Sequence, residues 1–91
     1  MLNQEARIIK NDKVPWRIIE DEAILVDVRK GNVIQLNEVG AFIWNQIDGI
    51  QKICQIVDSI CDSFQIDRET AKQDAVEFLS ELLKRQIIKL K

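Results

Sequence analysis

The sequence predicts a small α+β domain with a winged helix-turn-helix-like fold, in which a three-stranded antiparallel sheet precedes three helices. Its 91 residues suffice for one domain, and an apolar fraction of 46% with 31% charged residues suits a single core under a solvated surface. The apolar residues alternate before Asn37 and recur at steps of three and four after it. Three strands, three helices and a short extended tail are the element order of that fold.

The first thirteen residues differ from the rest of the chain because they are polar, mixed in charge and weakly periodic. We therefore predict an N-terminal arm over residues 1–13, either loose or forming a short irregular strand, and one domain over residues 14–91. The sequence contains no apolar run of membrane-spanning length and no signal-peptide core near its start. A cytoplasmic protein without a membrane partner is expected.

Three strand candidates lie in the first half of the chain. They cover residues 14–20, 23–29 and 33–36. In the second candidate, the alternation predicts that Ile24, Val26 and Val28 face the core. Asp27 and Arg29 are expected to face the solvent.

Three helices are predicted in the second half. They run from about Glu38 to Ile47, from about Lys52 to Phe64, and from residue 67 to about Arg85, and an extended tail follows. Asn37 and Asp67 are expected to cap the first and third helices, because their short side chains can accept hydrogen bonds from the first turn. Trp44 is expected to pack against the sheet, whereas Trp16 fits either the core or a contact with a partner.

The side chains available for catalysis are few. The chain has no His and no Tyr, and its Ser, Thr and Cys residues lie within helical patterns without an obvious base nearby. Cys54 and Cys61 would lie roughly 10 Å apart on one helix, which is too far for a disulfide. We expect them to be buried thiols, since two Cys cannot by themselves complete a zinc or iron–sulfur site. The sequence predicts neither an enzyme nor a cofactor.

The charge of the third predicted helix argues against nucleic acid. A net charge of -2 offers no general attraction for phosphates. The helix "DRETAKQDAVEFLSELLKR" carries five acidic and four basic residues, which would repel a phosphate backbone. A winged-helix DNA-binding or regulatory protein is therefore the alternative function, and no nucleic-acid partner is expected.

The third strand candidate, "VIQL" over residues 33–36, has no Lys or Pro to guard its edge against pairing. An extended peptide could add to such an edge as a further strand. The opposing interpretation is that these residues are core and that the tail strand covers the edge, and the pattern alone favours it. A third interpretation is a dimerisation module that uses the same edge on a second copy.

The chain also resembles the PqqD-like family, whose members are called RiPP recognition elements, from about Val14 to Leu90. The stretches that carry the resemblance are "VDVRKGNVIQLNEVGAFIW" with Leu36-Asn37, Gly40 and Ile43-Trp44, then Asp48-Gly49, and "AKQDAVEFLSELL". Three positions depart from the family. Lys52 and Gln55 stand where a capping Thr and a Glu are common, and Gln86 stands where a Gly usually closes the third helix.

The resemblance implies a non-catalytic peptide chaperone. Such domains hold the leader of a ribosomally made precursor peptide between the third strand and the third helix. They present it to a separate modifying enzyme, such as a radical SAM maturase, or a protease or cyclase in lasso-peptide systems. We expect a monomer or a homodimer, either domain-swapped or not. The residues expected to contact the peptide are Val33, Ile34, Gln35 and Leu36 on the strand, and across the groove either Lys72, Val76, Leu79 and Leu83 or, with the helix rotated the other way, Asp74, Phe78 and Arg85.

Overall fold

The computed structural model describes residues 2–91, which form five strands and three helices. In chain order they are β1 (Ile8–Lys10), β2 (Trp16–Ile19), β3 (Glu22–Asp27), β4 (Asn32–Leu36), α1 (Glu38–Gln46), α2 (Ile53–Phe64), α3 (Arg68–Lys84) and β5 (Ile88–Leu90). The predicted three-stranded antiparallel sheet followed by three helices is confirmed. Within the described residues, none of these helices is both long and apolar enough to cross a membrane.

The strands form two separate antiparallel sheets. One sheet has the order β2-β3-β4, and the other pairs β1 with β5, so that Ile9 lies opposite Lys89. Residues 8–10 of the predicted N-terminal arm therefore form a short strand, with Ile8 fully buried, while Met1 lies outside the described residues. Because β5 pairs with β1, the tail strand does not cover β4.

The predicted orientation of β3 is wrong by one residue. Ala23 and Leu25 are fully buried and Asp27 is 3% exposed, whereas Val28 lies beyond the strand and is 62% exposed. These buried residues face the helices, since α1 packs against β3 and a small residue at Ala23 allows that approach. Ile24, which was predicted to face the core, lies on the outer face of β3. It is half-buried there because β3 is the central strand and has a neighbour on each side.

The helix ends follow the predicted capping chemistry. Asn37 Oδ1 accepts a hydrogen bond of 2.9 Å from the Gly40 N–H, and the Asp67 carboxylate accepts one of 3.1 Å from the Thr70 N–H. At α2, where no capping hydroxyl is present, the Gln55 side chain accepts a hydrogen bond of 2.7 Å from the Lys52 N–H. Both predicted caps are confirmed.

The left-handed position that ends α3 is occupied by a residue other than glycine. Gln86 has a φ of 61° in the turn between α3 and β5. The residue that departs from the family pattern therefore adopts the conformation that glycine adopts most easily.

The core lies between the β2-β3-β4 sheet and the helices, and Trp44 is its largest fully buried side chain. Trp16 is 43% exposed and meets Trp44 edge-on, with 5.8 Å between the ring centroids. The amine of Lys10 lies 4.5 Å from the centre of the Trp16 ring, where the ring face attracts a cation. Trp16 therefore packs on the edge of the core with one part of its ring exposed to solvent.

The two cysteines are free thiols, as predicted, but they are half-buried rather than buried. The buried stripe of α2 consists of Ile53, Ile56, Val57 and Ile60. Cys54 and Cys61 lie beside that stripe, and the Cys54 thiol contacts Glu5 at 3.6 Å.

Candidate peptide-binding groove

The free edge of β4 is the first feature of the candidate site. β4 pairs with β3 on one side, and no other strand among residues 2–91 pairs with it on the other. Its side chains alternate, so that Leu36 is buried and Ile34 half-buried while Val33 is 62% exposed. An unpaired edge exposes main-chain N–H and C=O groups that a further strand can satisfy.

A groove runs beside this edge, between β4 and α3, and we call it the β4–α3 groove. It encloses about 560 Å³. Its walls are formed by Gln35, Leu36, Asn37, Val39, Gly40 and Ile43 from β4 and α1, by Ile66, and by Asp74, Glu77, Phe78 and Glu81 from α3. The groove is therefore apolar at its floor and acidic along its α3 wall.

Gly40 lies where three elements meet at the floor of the groove. A Cβ atom at this position would lie 3.3 Å from the Leu36 Cβ and 3.4 Å from Cε1 of Phe78. A hydrogen at Gly40 thus allows β4, α1 and the Phe78 ring to approach one another closely.

A second depression, of about 300 Å³, adjoins the groove at Glu81, which borders both. Its other residues are Asp27, Arg29, Lys30, Lys84 and Arg85. Because Asp27 pairs with Asn32, this depression lies at the beginning of β4, whereas Leu36 lies at the other end of that strand. We call the four cations Arg29, Lys30, Lys84 and Arg85 the basic end.

Arg85 is held in place by two carboxylates. Its Nε donates a hydrogen bond of 3.0 Å to Glu81, and its Nη1 lies 3.9 Å from Asp27 Oδ2. The other carboxylate oxygen of Asp27 accepts a hydrogen bond of 3.2 Å from the Lys30 N–H. The buried Asp27 carboxylate therefore connects the β3–β4 turn with the end of α3.

The structure distinguishes the two rotations of α3 that the sequence left open. The helix buries Ala71, Ala75, Leu79 and Leu82. Asp74 and Phe78 flank this stripe on the β4 side, and Arg85 borders the adjoining depression. Asp74 and Phe78 therefore line the groove together with Gln35 and Leu36, whereas Arg85 lines the adjoining depression instead.

The residues named for the other rotation lie elsewhere. Lys72 and Val76 line a separate depression beside Leu2 and Gln4, on the flank of α3 away from β4. Leu79 is fully buried, and Leu83 is half-buried against the core. Since the buried stripe sets the rotation of the helix, these side chains do not border the β4–α3 groove.

Several groove residues were not among the predicted contacts, including Glu77 and Glu81 on α3 and Val39 on α1. Glu77 and Glu81 follow Asp74 by three and seven residues, so they share its helix face. Helical spacing would have identified them once Asp74 had been placed in the groove.

Comparison with known proteins identifies the family. Residues 22–88 match the family model PqqD, described as coenzyme PQQ synthesis protein D. The chain belongs to the PqqD family. The matched region of this PqqD domain begins with β3 and ends in β5, and so contains both walls of the groove.

A solved structure described as TbiB1 in complex with the TbiA(beta) leader peptide is similar to this PqqD domain. The two chains are 30% identical, with a TM-score of 0.79 over 89% of this chain and 94% of that one. A search of curated proteins found no significant match.

Proposed function

We propose that this PqqD domain binds the leader segment of a ribosomally made precursor peptide and presents it to a separate modifying enzyme. The unpaired edge of β4 beside an apolar groove carries this proposal. It is supported by the 30% identity to TbiB1, which was solved with a leader peptide.

In this proposal the leader adds to β4 as a fourth strand of the sheet. Main-chain hydrogen bonds to the edge supply affinity for any extended peptide, and alternate side chains supply selectivity. The inner face of the added strand would lie over Phe78 and continue the row formed by Leu36 and Ile34. Antiparallel addition is favoured, because antiparallel pairs are slightly more stable and the sheet is antiparallel throughout.

The domain itself is proposed to be non-catalytic. The hydroxyls of Ser59 and Thr70 donate to Gln55 and Asp67 within their own helices, as structural hydroxyls do. The chemistry would belong to the partner enzyme, a radical SAM maturase or a leader peptidase or cyclase, acting in the cytoplasm. Binding therefore serves to position the precursor rather than to convert it.

The experiment that tests this function begins with selection of peptides from a random 12-residue display library on the full chain. The selected peptides are then titrated into the isotopically labelled protein, and amide shifts are followed by NMR. We expect the largest shifts at Val33–Leu36 and around Asp74 and Phe78. A failure to select any peptide, or shifts confined to the outer flank of α3 or to β2, would contradict the proposal.

The alternative function, a winged-helix DNA-binding or regulatory protein, is tested by adding duplex DNA as a competitor to the bound peptide. The groove wall of α3 carries Asp74, Glu77 and Glu81, so we expect no displacement of the peptide and no salt-sensitive DNA binding. Tight binding of DNA that weakens steeply with salt would favour a winged-helix regulator instead.

A further inference from the structure

The β4–α3 groove and the depression that adjoins it carry charges of opposite sign. The α3 wall of the groove carries Asp74, Glu77 and Glu81 beside Leu36 and has no cation among its lining residues. We call these three carboxylates the acidic half. The adjoining depression contains the four cations of the basic end, against the carboxylates of Asp27 and Glu81. Charge thus changes sign along the direction of β4.

The acidic half has few partners within the protein. Among residues 2–91, Asp74 and Glu77 take part in no ion pair, and Glu81 alone is engaged, by Arg85. Acidic residues three and four positions apart on a helix repel one another and lower its stability. Helix stability gives a reason for Glu81, which pairs with Arg85 four residues later, but it gives none for Asp74 and Glu77.

The basic end is also open to a ligand. Arg29, Lys30 and Lys84 form no ion pair with any residue in the described part of the chain. Arg85 is oriented by Asp27, whose side chain is 3% exposed and whose Oδ2 accepts no hydrogen bond within residues 2–91. A buried carboxylate is costly unless it is paired, so Arg85 is tied to this position.

From this charge separation, and resting on the proposed function, we infer that the leader carries its charges in a fixed order. A basic residue lies where the added strand passes Gln35 and Leu36, beside the acidic half. An acidic residue lies where it passes Asn32, beside the basic end. With antiparallel addition the basic residue precedes the acidic one in the peptide.

The spacing of the two charges follows from strand geometry. Leu36 and Asn32 are four residues apart, which is about 13 Å along a strand. An even separation puts both peptide side chains on the same face of the added strand, toward α3. The two charged residues are therefore separated by about four positions in the leader.

The sequences of the selected 12-residue peptides provide the first test. After alignment on the positions whose binding shifts Val33–Leu36, we expect Lys or Arg to be enriched about four residues before Asp or Glu. Peptides that bind at β4 with no charge order, or with the opposite order, would overturn this inference and leave strand addition intact. If no peptide maps to β4, the proposed function fails and this inference fails with it.

Charge reversal in the protein provides the second test. Asp74→Lys is expected to lower the affinity for a selected peptide about ten-fold at low salt. The substitution replaces attraction of the peptide's basic residue by repulsion. A peptide with its Lys changed to Glu should regain that affinity on the variant and lose it on the original protein. The effect should shrink in 1 M NaCl, where the screening length falls to about 3 Å.

The matched control is Asp62→Lys, the same charge change on the exposed surface of α2, away from the groove. We expect it to alter affinity less than two-fold. Equal effects of Asp74→Lys and Asp62→Lys would mean that only net charge matters, which would overturn the fixed order. Circular dichroism verifies that both variants are folded before affinity is compared.

Discussion

Replacement of Phe78 by Ala separates a role in binding from a role in packing. The ring is half-buried and lies at the floor of the groove, next to Gly40. Loss of a fully buried Phe side chain costs about 3–5 kcal/mol, so a partly open ring should cost about 2 kcal/mol of unfolding free energy. A domain of this length has a total stability of about 5–14 kcal/mol and should therefore remain folded.

The effect on affinity follows from the area that a bound strand would cover. If the strand covers about 50 Å² of the ring, burial at about 25 cal/mol per Å² contributes about 1.2 kcal/mol. Phe78→Ala should then raise the Kd of a selected peptide about eight-fold. Fluorescence anisotropy with a labelled peptide measures this change at a temperature where the variant is fully folded.

Phe64→Ala is the control for Phe78→Ala. Phe64 is also half-buried, but its ring packs edge-on against Phe42 at 5.2 Å and does not line the groove. The Phe64→Ala variant should lose at least as much unfolding free energy as Phe78→Ala, because the aromatic pair is also lost. Its Kd for the selected peptide should change less than two-fold. Equal losses of affinity in the two variants, or an unchanged Kd in Phe78→Ala, would refute the placement of Phe78 in the site.

Three further changes test how the fold supports the groove. Asn37→Ala removes the cap on α1 and should lower the free energy of unfolding, measured in urea, by about 1 kcal/mol. Asn37→Ser should restore most of that loss. Gly49→Ala should lower the thermal midpoint, because Gly49 has a φ of 78° and a Cβ there would lie 2.8 Å from Ile9 Cγ2. The left-handed backbone alone costs about 1–2 kcal/mol, and an unchanged midpoint would contradict the close contact. The hydrogen bonds from Thr70 lower the pKa of Asp67 below its usual 3.8. The stability that this carboxylate contributes should be complete above pH 3.8 and lost as pH falls through the lowered pKa, so the advantage over Asp67→Asn should vanish in acid.

The local pattern of the sequence was sufficient for the order and type of the elements from β2 onward, whereas it left residues 1–13 open between a loose arm and a short strand. The change of period at Asn37 separates the sheet from the helices, and short side chains at Asn37 and Asp67 mark the beginnings of α1 and α3. These features depend on neighbours within about four residues of one another. They can therefore be predicted without knowledge of the tertiary structure.

The predicted buried face of β3 was wrong, because alternation shows which residues share a face of the strand but not which of the two faces is covered by the helices. Ile24 and Val26 are more apolar than Ala23, yet α1 packs on the side of Ala23 and Leu25. The buried Asp27 lies on that same side, where Arg85 from the end of α3 reaches it. Both facts depend on residues that are distant in sequence.

The sequence by itself determined the family, the element order from β2 onward, the caps of α1 and α3, and the unguarded composition of β4. Only the tertiary structure decided that β5 pairs with β1, that the edge of β4 stays open, and that α3 turns Asp74 and Phe78 toward it. The physical reason is the range of the interactions. Capping and periodicity act within one element, whereas strand pairing and helix rotation are set by which buried surfaces fit together across the whole core.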